Sequence, residues 1–464
     1  MSGLAQDLPH GWTLSTIESL AEQKGVAYGV LKPGPQIDGG IPMLRVTDVR
    51  SGGVDQSAIY RISDELDREY KRTKLRGGEV LVSIQGSVGR VAVVPTELAG
   101  ANVSRTLAMV RLREPALAGW VQMALESPQA QHAMRQVIGG TTRDSLNLRD
   151  LRRFEIPVAP EPQRSTLLRL VEKLNQLNGS SGQHLAAARQ AIERFRQSVL
   201  VAACSGRLTA DWREAHSEPL PVLEGANEKR PKKVRLLGSY ALDGMPDGWT
   251  WSQVENVLPP GGIFDGPFGS NLKSSDYTDS GARVVRLENI GHLRFIGEKK
   301  TYVSLSKYEA LAKHAVRSGD IVFSSFVEEM VRVCVLPNDL DRDTLAKADC
   351  FTLRPVPGVD ARYLALQLAT PRSYGHLAGD IHGATRPRVN TTHVRGLPLP
   401  LCSLSEQIEI VNRWNLLTAA ADHLVQRIDT ASDHVERSSQ AVLAKAFRGD
   451  LIPDESLLDS SGAT

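Results

Sequence analysis

The chain has 464 residues, 41% of them hydrophobic, which suits a globular protein of two to four domains. A formal net charge of only +2 confines any phosphate-binding surface to local patches offset by acid elsewhere. No stretch of eighteen apolar residues occurs, and Met1 to Leu20 lacks a charged region followed by an apolar one, so neither a membrane span nor a secretory leader is expected and a cytoplasmic location is.

In chain order, residues 10–160 are rich in Gly, Pro, Val, Thr and Arg. Short segments at Met43–Val46, Val80–Ile84, Arg90–Val94 and Leu107–Leu112 read as strands between turn signals. A helix is predicted over Leu117–Gly139. After Pro162 there is little punctuation until Gly206, and a mainly apolar seam with 4,3 spacing runs through Leu167, Val171, Leu174, Asn178, Ser181, Leu185, Ala188, Ile192, Phe195 and Val199. Asn178-Gly179-Ser180-Ser181-Gly182 interrupts it with two glycines, yet the seam resumes in phase beyond them, which predicts one long helix. The run Lys229-Arg230-Pro231-Lys232-Lys233-Val234-Arg235 then reads as an exposed basic linker.

The second half repeats these elements. Strands are predicted at Val284–Leu287, Ile321–Ser325, Arg332–Leu336 and Phe351–Arg354, and a helix over Asp360–Leu377. A second seam runs through Ile410, Trp414, Leu417, Leu424, Ile428, Val435 and Val442, in register with the first at an offset of 243. Local motifs recur in the same order. Pro9-His10-Gly11-Trp12 returns as Pro246-Asp247-Gly248-Trp249, and Arg76-Gly77-Gly78-Glu79 as Arg317-Ser318-Gly319-Asp320. Gly140-Thr141-Thr142-Arg143 returns as Gly383-Ala384-Thr385-Arg386, and Gly206-Arg207-Leu208 as Gly449-Asp450-Leu451. This is a domain-scale duplication, not a stacked array.

The predicted boundaries are a globular domain at 1–160, a helical spacer at 161–214, a basic linker at 215–240, a second globular domain at 241–404, a second spacer at 405–455 and a disordered tail at 456–464. The fold class is α+β, with pseudo-twofold symmetry and the long helices paired as an antiparallel coiled coil. A seam from 167 to 199 is about 48 Å long as α-helix, more than a small domain can bury, so it requires a helical partner. The equivalent helix of the other half is the natural one. Two domains held at the ends of such a pair could engage half-sites about 34 Å apart on B-DNA.

Enzyme chemistry is not indicated. The only Pro-Pro loop, Leu258-Pro259-Pro260-Gly261, lacks the amide or acid and the aromatic that grip a flipped base. There is no P-loop and no metal-ligand spacing among the histidines. Cys204, Cys334, Cys350 and Cys402 form no C-x-x-C pair and read as reduced, buried thiols.

Gly140-Thr141-Thr142-Arg143 through Asn147-Leu148, then Ile156-Pro157 and a Pro-Gln turn into a long helix, resembles the hinge of type I restriction–modification specificity subunits. The second copy, Thr385-Arg386, Asn390, Leu397-Pro398-Leu399-Pro400 and Ser405-Glu406-Gln407-Ile408, is closer still. The endings around Ala441-Val442-Leu443 and Phe447-Arg448-Gly449, and the segment Phe264-Asp265-Gly266-Pro267-Phe268-Gly269-Ser270-Asn271-Leu272-Lys273, are similar to that family too. The chain departs from it at Glu161-Pro162-Gln163, and at Cys204, which stands where the second copy has Phe447.

The resemblance implies that each globular domain is a target-recognition domain reading one half of a bipartite double-stranded DNA site. It implies paired helices that dock two methyltransferase subunits, and motor-nuclease restriction subunits beyond them. S-adenosylmethionine, ATP and Mg are then expected on those partners and no cofactor in this chain. A coiled-coil interaction protein, or a specificity component of another DNA-modification defence system, is the alternative. Candidate DNA contacts, by residue type and loop position, are Arg45, Lys71, Arg72, Lys74, Ser83, Gln85, Ser87, Arg90 and Arg143 in the first half. Those in the second are Lys273, Arg286, Asn289, Lys299, Lys300, Ser324, Arg332, Arg386 and Arg388. Arg45 and Arg286 recur at matched strand ends, which suits a structural role equally.

Overall fold

A computed structural model describes residues 8–50, 53–137, 145–216, 218–227, 244–378 and 388–451. The chain divides into two compact units. One joins Met1–Ala187 to Ile428–Thr464, and the other is Ala188–Arg427. These boundaries cut through both long helices, unlike the linear division expected from sequence. A helix this long buries its seam only where another chain segment lies against it, so each of its halves belongs to the core it packs on.

In the first unit a four-stranded antiparallel sheet has the order Ala21–Tyr28, Leu107–Leu112, Val80–Ser83, Val91–Val93. Val80–Ser83 is buried along its whole length, which is why it reads as a continuous apolar run rather than an alternation. Beside it Tyr60–Ile62, Ile41–Leu44 and Asn102–Val103 form a three-stranded mixed sheet. Thr13–Thr16 pairs antiparallel with Glu155–Val158 and so ties the start of the domain to the entrance of the long helix.

The second unit has the same plan. Ile263–Phe264, Cys350–Leu353, Ile321–Ser324 and Val333–Val335 form its antiparallel sheet, and Thr250–Gln253 pairs with Pro398–Leu401. Its mixed sheet has the order Tyr277–Thr278, Tyr302–Val303, Ala282–Val285, Thr344–Ala346. The buried Glu79–Arg111 pair at 2.9 Å is matched by Asp320–Arg354 at 2.6 Å.

Where one helix was expected after the sheet, each unit has two. Ala118–Glu126 is followed by Pro128–Val137, and Ala361–Leu368 by Pro371–Ala378. Ser127, before Pro128, takes extended dihedrals as the proline ring demands, and the helix stops there.

The long helices are continuous, at Glu161–Cys204 and Leu404–Ala446. The first passes through Asn178–Gly182 without interruption and ends ten residues before the expected boundary, giving way to a short turn and the helix Ala210–Ala215. Within the first unit the two helices run antiparallel. Leu167 and Val171 share a core with Ala446 and Phe447, and eleven residues after Leu167, Asn178 donates to Ser439 Oγ at 2.7 Å. Within the second unit they do so again. Leu200, Ala203 and Cys204 pack with Ile410, Val411 and Trp414, and Arg196 pairs with Asp422. Phe195 and Leu424, both placed on the seam by the heptad, are 43% and 46% exposed. An α-helix drifts about 20° per heptad from a strict 3.5 repeat, and their neighbours Arg196 and Val425 are the more buried residues instead.

An aromatic cluster closes the first unit, with Trp12, Trp120 and Phe447 in edge contact at centroid distances of 5.2 to 6.3 Å. Trp249 and Tyr363 hold the matching places in the second, with buried Cys204 where the first has Phe447. Gly449 and Gly206 hold φ of +80° and +74°, and a Cβ would come within 2.7 Å of Pro9 and 2.8 Å of Pro246 respectively. Only glycine suits both demands. Part of the expected linker belongs to the second unit, since Asn227 bonds Leu258 O at 3.0 Å and Glu255 at 3.0 Å. The run 229–235 and the tail 456–464 lie outside the described residues.

Candidate nucleic-acid interface

In the first unit, Val80–Ser83 feeds the loop 84–90. Ser83 is fully buried, and its hydroxyl donates to Ser87 O and accepts from Arg90 N at 2.7 Å. It shapes the loop from inside and has no surface to offer a ligand. Gln85 and Ser87 stand exposed on that loop, and the backbone of Gln85 bridges to Ser145. Arg90 reaches Val46 O at 3.4 Å and Val49 O at 3.3 Å, cross-linking the loop to the turn Val46–Asp48 and the short strand Val49–Arg50 that follows it. Arg45 bonds Asp48 and the carbonyl of Ala58, and lies 5.0 Å over the Tyr60 ring. Lys74 pairs with buried Asp67 at 2.7 Å, and Arg72 donates to Lys24 O at 2.8 Å. Lys71 is exposed.

The second unit repeats this frame with different chemistry at the surface. Ser324 is again buried, accepting from Phe326 N and Arg332 at 3.2 Å each, while Arg332 also donates to Leu287 O. Asn289 is 1% exposed and donates to Ile296 O at 2.8 Å and Lys299 O at 2.9 Å. Ser83, Ser324 and Asn289 are therefore internal supports, contrary to the expectation of surface contacts. Polar residue type marks them as candidate contacts but does not say which way the side chain turns, and all three sit in regular elements. Arg286 bonds Glu288 and Thr301 at 3.4 Å each and lies over the Tyr277 ring, so the matched arginines Arg45 and Arg286 do have framework contacts. Lys273, Lys299 and Lys300 are exposed. Arg143 and Arg386 lie outside the described residues.

A cavity of about 290 Å³ opens in this second unit, lined by Arg286, Glu288, Phe326, Lys347, Asp349 and Arg388 among others. Arg388 lies 4.4 Å over the Phe326 ring, with its guanidinium 3.5 Å from Asp349. Asp349 adopts φ of +69° and accepts from Ser325 Oγ at 2.8 Å. Lys347 donates to Tyr277 OH at 2.6 Å. Burial pushes the Asp265 carboxyl up to about 6, against the hydrogen bond from the Gly266 amide, and the charge of Asp349 adds to the rise. Of these residues, sequence reasoning singled out Arg286 and Arg388. Lys347, Asp349 and Phe326 escaped because only the repeat alignment marks their places, where the first half has Ser104, Thr106 and Gln85. Among the described residues, no group of His, Cys, Asp or Glu is arranged to hold a metal ion, and no helix is long and apolar enough to cross a membrane.

No family model matches the chain. Among characterised proteins it is 31% identical over 239 residues to the type I restriction enzyme EcoBI specificity subunit of Escherichia coli, covering 51% of this chain and 50% of that one. It is 28% identical over 304 residues to the EcoDI specificity subunit of Escherichia coli, covering 64% and 63%. These two matches thus span about half and somewhat under two thirds of the relatives' lengths. The EcoKI specificity subunit of Escherichia coli strain K12 aligns over 96% of this chain and 90% of its own, at 20% identity. The fold matches a solved chain described under complex assembly and conformational transition of the type I R-M system, with a TM-score of 0.66, 19% identity, and coverage of 96% and 99%.

Proposed function

We propose that this chain, similar to the specificity subunits of type I restriction enzymes, is the DNA-reading, non-catalytic subunit of such an enzyme. Each unit reads one half of a bipartite duplex site. The long helices dock two methyltransferase subunits, which carry S-adenosylmethionine, and motor-nuclease subunits that use ATP and Mg join them in the complete complex. The cytoplasm is the place of action.

The observation that carries this reading is the duplicated frame with unlike loops. The frame recurs at matched positions in both units, as at Glu79–Arg111 and Asp320–Arg354 or at buried Ser83 and Ser324. The side chains it carries change from Gln85, Thr106 and Ser145 to Phe326, Asp349 and Arg388 at the matched positions. Two readers of different sequences require this combination, because base edges are distinguished by side-chain chemistry and not by the scaffold.

Methylome sequencing of the host with and without this chain tests the proposal. One split motif is expected to lose methylation when the chain is removed. An unchanged methylome from an otherwise active system sinks the reading. Exchanging residues 8–160 for those of a relative is expected to alter one half-site and leave the other intact.

A further inference from the structure

We propose that Arg388 and Asp349, on the Phe326 ring, form the base-reading element of the second unit and take the major-groove edge of a G·C pair. The inference rests on the DNA-reading function proposed above and names the base pair involved.

Three observations carry it. First, the element is built on the framework positions that support the loop of the first unit. The isolated bridge Phe326–Arg388 corresponds to Gln85–Ser145. The bond from Ser325 N to Asp349 O at 2.9 Å corresponds to that from Ile84 N to Thr106 O at 2.9 Å. The backbone frame is thus shared while the chemistry it displays has been exchanged, from an amide and hydroxyls to a guanidinium, a carboxylate and a phenyl ring.

Second, the guanidinium is held but not consumed. It lies 4.4 Å over the Phe326 ring, its side chain is 53% exposed, and its contact with Asp349 is a loose 3.5 Å. A planar fork resting on an aromatic face keeps N–H groups for a second partner, and the fork matches guanine O6 and N7.

Third, the carboxylate argues for a base rather than a phosphate. An aspartate beside the arginine repels a phosphate, but it is the acceptor that the N4 amino group of the paired cytosine needs. Asp349 is also kept in the left-handed region, at φ of +69°, a conformation that costs free energy outside glycine and persists where the surroundings enforce it. The Ser325 hydroxyl on its Oδ1 at 2.8 Å supplies that enforcement.

The test is methylome sequencing of hosts carrying the full chain as wild type, Arg388→Gln, Arg388→Lys or Asp349→Asn. The half-site of the second unit is the one left unchanged by exchange of residues 8–160. Arg388→Gln is expected to make one G·C position of that half-site degenerate, with discrimination falling about ten- to a hundredfold. Asp349→Asn, which keeps the bond from Ser325 and tolerates the backbone conformation, relaxes the same position. Arg388→Lys retains the guanine at reduced occupancy. An intact motif with Arg388→Gln overturns the inference while leaving the function standing. So does loss of methylation that Arg388→Lys fails to restore, which would mark Arg388 as a support of the fold. A methylome indifferent to removal of the whole chain overturns the function itself.

Discussion

Trp249 donates its indole N–H to the carboxylate of Glu406 at 2.9 Å, pinning the start of the second globular domain to the first turn of the second long helix. Glu406 is 3% exposed and also accepts from Thr209 at 2.8 Å and Arg213 at 2.9 Å. In the first unit Trp12 donates to Gln163 at 2.8 Å in the same way, with an amide in place of the charge. Glu406→Ala takes the charge partner from Arg213, which keeps its bonds to Gly206 O, and leaves the Trp249 and Thr209 donors without this acceptor, and is expected to cost about 3 kcal/mol. Gln163→Ala removes one neutral hydrogen bond and is expected to cost about 1 kcal/mol. Denaturant titration of the two variants measures the difference, and equal losses would show that the charge network adds nothing.

Gly179 and Gly182 lie inside a continuous helix, and a Cβ at either meets nothing within 4 Å. Replacing a helix-interior glycine with alanine is worth about 0.8–1 kcal/mol. The double variant Gly179→Ala/Gly182→Ala is expected to gain nearly 2 kcal/mol and raise Tm. No gain, or a loss, would mean that the segment is not helical in solution.

The raised Asp265 carboxyl gives stability a pH signature. Its folded value of about 6 lies above the ordinary 3.8, so the folded state favours the protonated form. That contribution is fully present below the ordinary value and is lost as pH rises through about 6. Asp265→Asn, which keeps an oxygen for the Gly266 amide, is therefore expected to be more stable than wild type at pH 8. The advantage should fade toward pH 4. Melting curves across that range decide the matter, and a pH-independent difference counts against it.

All four cysteines are buried and unpaired. Burial pushes each thiol well above its usual value, so little thiolate forms near neutrality. Thiol reagents are expected to label the native chain slowly and to find four groups once it is unfolded. Rapid native labelling at any of them would contradict the packing around Cys204 or its counterparts.

The long helices were legible because their apolar residues recur at a spacing that no other element produces, and because the two seams agree in phase. The first carries two glycines, but a penalty of about 2 kcal/mol is small beside a helix packed over both ends. The paired short helices were readable too, from Ser127-Pro128 and Thr370-Pro371, but apolar content alone ran through that signal. The interface was less legible. Ser83 and Asn289 have the residue types of DNA contacts and are consumed inside the fold. Arg388 acquires its meaning from Phe326 and Asp349, brought beside it from distant stretches of the chain.

The contacts of Gly449 with Pro9 and of Gly206 with Pro246 make the order of the two halves a matter of convention. The second half hands over to the first as the first hands over to the second. A chain restarted at Met245, run through Leu451 and joined by a short connector to Leu8 would keep every packing relation described within each unit. Selection acting on such a molecule could shuffle which half is encoded first, or replace one globular domain by recombination, without redesigning the frame that receives it.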